Sequence, residues 1–298
     1  MRKVLVLGGT QYFGKKLVQK LIENGDQVTI STRGTKNDPF GNQVERLVID
    51  REKKDTMGIA FANKDWDVVY DQSCFSPIEA RDTAEVLKGK TKRYIFTSTQ
   101  AVYEFGTLHK EENFNANTYE IIYKTRKEYP GYEGYKEAKR SSEAVFHQLG
   151  YFDAVSVRFP IVVSADDYSE RLKFHVDKIL SGQAIGIQNS DLRYSFIHAD
   201  EAAEFLLKIG ASDYKGPINP GSAGDISLRE LIDKIVKLGG KEAMIDASIT
   251  AENPSPYSLP GSWSIDTSLA ERLGFAFIPL DQLLEELITY YIQEYKRV

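Results

Sequence analysis

The chain has 298 residues, 42% apolar and 27% charged, which excludes a disordered, collagen-like or disulfide-scaffold protein. Its 38 Lys and Arg against 43 Asp and Glu leave a net charge of −5, which repels nucleic acid and anionic lipid on average, so neither is an expected partner. The single cysteine, Cys74, excludes an internal disulfide and fits the reducing cytoplasm. No apolar run approaches the ~20 residues of a membrane span, and the apolar stretch of MRKVLVLGG is too short for a signal peptide.

At about 100–200 residues per domain, the length suits two domains. The first half alternates short apolar runs with amphipathic stretches, the βαβ pattern of a parallel sheet. Residues 4–7 read as a buried first strand. Phe13, Leu17, Val18, Leu21 and Ile22 then share one helical face, and Gly25 supplies the stop. Residues 28–31, 44–49, 67–71 and 93–97 read as further strands. Before the last of these, Ser76-Pro77-Ile78-Glu79 predicts a helix start: Ser as N-cap, Pro at the first helical position, Glu reaching back. The polar, aromatic stretch 104–131 predicts a loop over the sheet edge, and loops of that length are often functional. A helix over 135–149 feeds a sixth strand at 154–158. Ser227-Leu228-Arg229-Glu230 opens another capped helix, carrying Leu231, Ile232, Ile235 and Val236. Residues 245–265, with three prolines, read as loop, and 279–295 as a closing helix. The expected class is α/β: a Rossmann-type doubly wound parallel sheet over 1–160, with returns near 190–225, and a smaller C-terminal α/β substrate cap mainly over 161–298.

The first strand runs straight into Gly8-Gly9-Thr10-Gln11-Tyr12-Phe13-Gly14, with a helix after it. Glycine lets the backbone turn sharply and approach a pyrophosphate, whose charge rests on free N–H groups at the helix start. Gly14 would let that helix pack close to the strand. The dinucleotide fingerprint expects Asp or Glu about 20 residues on, holding the ribose hydroxyls. Strand two instead ends Ser31-Thr32-Arg33-Gly34. With no carboxylate to repel a 2′-phosphate and a guanidinium to grip it, the site favours NADP over NAD.

Three Tyr-x-x-x-Lys frames occur: Tyr123/Lys127, Tyr132/Lys136 and Tyr135/Lys139. The chemistry needs both side chains one turn apart on one helical face, with the ammonium lowering the phenol's pKa. Pro130-Gly131 demotes the first frame by breaking a helix there. Tyr135/Lys139 has Ala138, Ser142 and Val145 available as a packed face and continues to Glu143, so this pair is the choice. None of the four histidines pairs with another at i+3 or i+4, and no Cys/His cluster has metal spacing, so no metal is expected.

Gly8-Gly9-Thr10-x-x-Phe13-Gly14 resembles the opening of extended short-chain dehydrogenases/reductases, the NAD(P)-dependent epimerase/dehydratase family, with Gln11 in place of the middle glycine. The resemblance runs along nearly the whole chain. It implies cofactor contacts at Gly8, Thr10, Gln11, Tyr12, Phe13 and Gly14, at Thr32 and Arg33, and at Asp50-Arg51, which matches the family's adenine-contacting acidic residue. Gln72 and Ser73 match its loop after strand four, and Arg158-Phe159-Pro160 its region beside the nicotinamide, implicating Pro160. Tyr135 and Lys139 are implied in cofactor binding as well as catalysis. The segment Thr97-Ser98-Thr99-Gln100-Ala101-Val102-Tyr103 matches the family's Ser-Ser/Thr-x-x-Val-Tyr, making Thr99 the partner hydroxyl. Its spacing to Tyr135 exceeds the family's usual couple of dozen residues, consistent with an inserted loop. Dehydratases of the family carry Asp-Glu after the Thr, where this chain has Gln100 and Ala101, so elimination is disfavoured. Phe196-Ile197-His198-Ala199-Asp200 resembles a further family segment, but Tyr194 stands where nucleotide-sugar enzymes often place an Arg, with Arg193 beside it.

The implied activity is an NADP(H)-dependent oxidoreductase or epimerase on a sugar-like substrate, nucleotide-sugars included, or on another small hydroxy/keto substrate. A homodimer is left open. Two rivals stand beside it. Val28-Thr29-Ile30-Ser31-Thr32-Arg33-Gly34 and Val68-Val69-Tyr70-Asp71 resemble the chloroplast stem-loop RNA-binding branch of the family, against which the acidic charge and the intact Tyr135/Lys139 pair argue. The other is a regulator that senses NADP without turnover.

Overall fold

A computed structural model describes residues 1–297. The chain forms two compact units, the first from Met1–Tyr103, Glu111–Phe159 and Asp200–Pro220, the second from Glu104–Lys110, Pro160–Ala199 and Gly221 onward.

In chain order the elements begin β1 (Lys3–Leu7), α1 (Tyr12–Glu23), β2 (Gln27–Thr32), β3 (Val44–Val48), α2 (Lys54–Ala60), β4 (Val68–Asp71), α3 (Pro77–Leu87) and β5 (Arg93–Thr99). After β6 (Gly106–His109) come α4 (Gly131–Leu149) and β7 (Asp153–Phe159). The rest follows as β8 (Ile161–Val163), α5 (Arg171–Leu180), β9 (Ala184–Gly186), β10 (Arg193–Tyr194), β11 (Phe196–His198), α6 (Ala199–Gly210) and β12 (Gly216–Ile218). The last elements are β13 (Ile226–Ser227), α7 (Leu228–Gly239), β14 (Met244–Asp246), β15 (Trp263–Ile265), α8 (Ser268–Arg272) and α9 (Leu280–Tyr295).

The first unit is built on a seven-stranded sheet of order β12-β7-β5-β4-β1-β2-β3, parallel throughout. Its central strands are buried on both faces, which is why they read as continuous apolar runs rather than alternating ones. Leu5, Leu7, Val69, Tyr94, Phe96 and Phe146 lie in one core cluster. Strand order reverses between β1 and β4, and in open sheets of this kind ligands bind outside the carboxyl ends of the strands at that switch.

Three local expectations need correction. The 104–131 stretch holds β6, which pairs with β15 in the second unit. The remainder lies along helices α3 and α4 rather than over the sheet edge: Gln148 donates to the carbonyls of Ala116 and Tyr119, Tyr119 to Glu137, and Arg126 to Glu79. Polar side chains on both helices supply those anchors. Residues 245–265 are not loop throughout, because β14 and β15 take up their ends by pairing with β9 and with β6 and β10. Glu79 reaches back one residue further than a capping box requires, accepting from the Phe75 N–H at 3.1 Å, while Ser76 caps the Glu79 N–H. The Ser227 capping box forms as expected, with Leu231, Ile232 and Ile235 buried.

Candidate active site

The turn after β1 holds Gly8 and Gly9 at φ of +98° and +82°, a region that favours glycine. A Cβ at Gly9 would sit 2.8 Å from methyls of Val6 and Val18, and one at Gly14 would sit 3.3 Å from the Gly9 Cα. Strand, turn and helix are thus as close as the absence of side chains permits. Gln11 is extended, with φ of −134°, so the position does not demand glycine for its backbone; its side chain is exposed. Tyr12 carries a left-handed φ of +47° and Phe13 packs on Phe159 at 5.3 Å.

Across the switch point stands the loop after β4. The Gln72 amide has both Nε2 and Oε1 buried without a hydrogen-bond partner, and its Cβ is 3.4 Å from where a Gly8 Cβ would be. An orphaned buried amide costs free energy unless something satisfies it, so the site beside the glycine turn suits a polar group. Ser73 donates to the Leu7 carbonyl at 3.2 Å.

A pocket of about 300 Å³ opens here, with Thr10 and Gln11 on one wall, Thr32, Arg33 and Lys36 on another, and Ser73 beyond. Arg33 and Lys36 are exposed. Thr32 is turned to its own backbone, accepting the Gly34 N–H at 3.1 Å. Asp50 also lines the pocket but caps its own turn through the Glu52 N–H at 3.1 Å. Arg51 is buried and committed: Nη2 donates to Asp71 at 2.8 Å and to Thr83 at 2.9 Å, and Nη1 to Ser73 at 3.1 Å. Its charge balances the buried Asp71, whose carboxyl it holds below the usual range against the opposing cost of burial.

Helix α4 begins at Gly131, four residues before the expected start, so it carries both the Tyr132/Lys136 and the Tyr135/Lys139 pairs, while Tyr123 lies outside any helix. The two lysines differ in company. Lys136 is buried and reaches the exposed Glu133 at 3.2 Å. Lys139 is buried, donates to the carbonyls of Thr97 at 2.8 Å and Cys74 at 3.0 Å, and sits over the Phe96 ring. Burial lowers its pKa from the ordinary lysine value. The Tyr135 ring lies 6.0 Å from that of Phe75 in the same loop. Thr99 ends β5, where its oxygen accepts the Ala101 N–H at 3.1 Å, which leaves the hydroxyl proton for another acceptor. Glu143 acts on Lys139 through its charge, which favours the ammonium. It is fully buried against Arg158, which donates from Nε at 3.0 Å and also to Tyr103, Glu111 and Phe114, while Ser98 donates to Glu143 at 2.7 Å.

Pro160 falls in the second unit, its Cγ beside Gly221. Arg193, in that unit too, is engaged with Asp225 at 2.6 Å and Glu230 at 3.1 Å. Cys74 is buried and its thiol pKa is raised by that burial, so it fills space. Arg126 also lines this pocket; in the sequence it lies in the short basic run Lys124–Lys127, which has no local motif to mark it.

A parallel sheet of this order with a glycine turn after its first strand defines a Rossmann-type α/β fold. The chain belongs to the NAD dependent epimerase/dehydratase family, whose model matches residues 4–219. Among curated proteins it is 25% identical over 224 residues to the chloroplast stem-loop binding protein of 41 kDa b of Arabidopsis thaliana, covering 70% of this chain and 55% of that one. It is 22% identical over 266 residues to UDP-glucuronic acid decarboxylase 6 of the same plant, covering 79% and 74%. Its fold matches UDP-glucose 4-epimerase of Thermotoga maritima, solved with UDP-glucose, at a TM-score of 0.72, 18% identity and 99% of both chains. The UDP-glucose 4-epimerase of Thermus thermophilus, solved with NAD, gives 0.68 at 17% identity and 99% of both chains. Among the described residues no helix is long and apolar enough to cross a membrane.

Proposed function

We propose that the chain is an NADP(H)-dependent oxidoreductase or epimerase acting on a sugar-like hydroxy/keto substrate. The observation that carries this reading is the pair of fittings at one switch point: an orphaned amide facing the glycine turn, and a buried lysine one helical turn from Tyr135. The dinucleotide, when bound, would supply the hydride chemistry. The N–H groups of the glycine turn and the Gln72 amide would hold it, and Arg33 with Lys36 would face its 2′-phosphate. Thr99 would donate to the reacting oxygen of the substrate and fix it for Tyr135, which moves the proton at that oxygen. Lys139 orients Tyr135 and lowers the cost of its anion. Gln100 and Ala101, in place of an acid and base for elimination, favour an epimerase or reductase over a dehydratase.

Calorimetric titration tests the cofactor assignment. Charge-assisted hydrogen bonds are worth roughly 1.5–3 kcal/mol each, so NADPH should bind at least about tenfold tighter than NADH at low salt. The margin should shrink as salt rises. Arg33→Ala should remove most of the preference by weakening NADPH alone. Equal affinities in the parent protein would place Arg33 in solvent and overturn the NADP assignment.

A further inference from the structure

We infer that Arg126, brought in by the loop between β5 and α4, is a binding residue for the pyrophosphate of the dinucleotide. The inference rests on the dinucleotide reading above and deepens it. Arg126 lines the same pocket as Gly8, Gln11 and Arg33. Its guanidinium stacks over Phe75 at 4.9 Å, donates to both oxygens of Glu79 at 2.9 Å, and donates to the Ser73 carbonyl at 3.2 Å. Glu79 is buried, whereas the Arg126 side chain is 43% exposed. One edge of the fork is therefore gripped from beneath and the other is presented outward. Of the five N–H donors of a guanidinium, Nε and Nη2 supply those bonds, and Nη1 is the outward group.

Position selects the phosphate. Ser73, to which Arg126 is tied, bonds back to Leu7, and its Cβ lies 3.4 Å from a Gly8 Cβ. Arg126 is thus fastened to the glycine-turn end of the pocket, where backbone donors would receive a pyrophosphate. A purely structural role leaves the placement unexplained. The loop already has anchors in the Thr125–Glu128 capping bonds, the Tyr119–Glu137 bond and the two Gln148 bonds, none of which lines the pocket. A stiff, pre-paired guanidinium also loses little side-chain freedom on binding.

The test uses two probes on the full chain. ADP-ribose carries the pyrophosphate without a 2′-phosphate; adenosine 2′-monophosphate carries the 2′-phosphate with no phosphate at the 5′ position. Arg126→Gln should weaken ADP-ribose about tenfold, the low end for a lost charge-assisted bond, and leave adenosine 2′-monophosphate within about twofold. Arg126→Lys, which keeps the charge without the fork, should fall between parent and Gln variant for ADP-ribose. Unchanged ADP-ribose binding in both variants, or an equal loss for both probes, would overturn the inference, the second result marking a loop anchor. A parent protein that binds neither probe would overturn the dinucleotide reading itself.

Discussion

Tyr135 and Lys139 sit in a helix whose other tyrosine–lysine pair has the same spacing, and only the environment of the ammonium separates them. Both lysines are buried, but Lys139 is held by carbonyls of Thr97 in β5 and Cys74 in the loop after β4, where the fold places ligands, whereas Lys136 pairs with a surface glutamate. On the proposed reading, Tyr135→Phe keeps the ring against Phe75 and removes the proton donor. Turnover of a reducible substrate should fall by on the order of 10²–10⁴ with cofactor affinity little changed. A large loss in Tyr132→Phe instead would move the chemistry to the other pair. The glycine turn, the strand-two arginine and the tyrosine frames were readable because each is local: spacing alone puts the atoms together. The roles of Glu79, Asp71 and Arg126 were not, because their partners stand 47, 20 and 47 positions away, a separation that no local pattern encodes.

At the scale of elements, the first unit was legible and the second was much less so, for a physical reason. Strands β1, β4 and β5 show continuous apolar runs, and α1, α3 and α7 announce themselves through glycine stops or capping residues. Strands β8 to β15 have two or three residues each, too few for any period, and exist because tertiary pairing imposes extension. Helix α4 began early because the segment after Pro130 meets no obstacle there: Gly134 lets it lie against Tyr129. A Cβ at Gly134 would come within 2.4 Å of the Tyr129 carbonyl carbon and 2.7 Å of its oxygen, both backbone atoms that cannot swing aside. Gly134→Ala should therefore cost on the order of 1–3 kcal/mol, read as a lowered Tm. Because the next residue is Tyr135, kcat should drop as well, while the dinucleotide Kd stays close to the parent's. A variant of unaltered stability would show that the loop end yields freely.

For the molecule as a whole, pH dependence of stability should carry one identifiable contribution from the second unit. His175 is fully buried, stacked on Tyr257 at 5.0 Å, with Nδ1 donating to the Arg171 carbonyl and Nε2 accepting from the Ser255 hydroxyl, both at 2.8 Å. Both ring nitrogens are satisfied in the neutral form, and burial pushes the pKa down from 6.5 to about 4. The unfolded chain thus takes up a proton near pH 6.5 that the folded chain refuses until about pH 4. Stability is fully present above that range and is lost as pH falls through it, amounting to about 3 kcal/mol over the whole window. Urea denaturation at pH 7 and pH 5 should show a drop that narrows by about 2 kcal/mol in His175→Gln. An identical drop in the variant would assign the titration elsewhere.

The buried ion pair between Arg158 and Glu143 has a consequence for how such a protein can change over generations. Both side chains are wholly enclosed, and the guanidinium also serves Tyr103 and two loop carbonyls. Losing either partner alone strands a charge in the interior, a step worth about 3–5 kcal/mol, comparable with the entire stability margin of many domains. Drift one codon at a time therefore meets a wall here that it does not meet at Arg33, Lys36 or Gln11, where exposure makes replacement nearly free. Descendants of this sequence can exchange those exposed pocket residues far more readily than they can replace this buried pair.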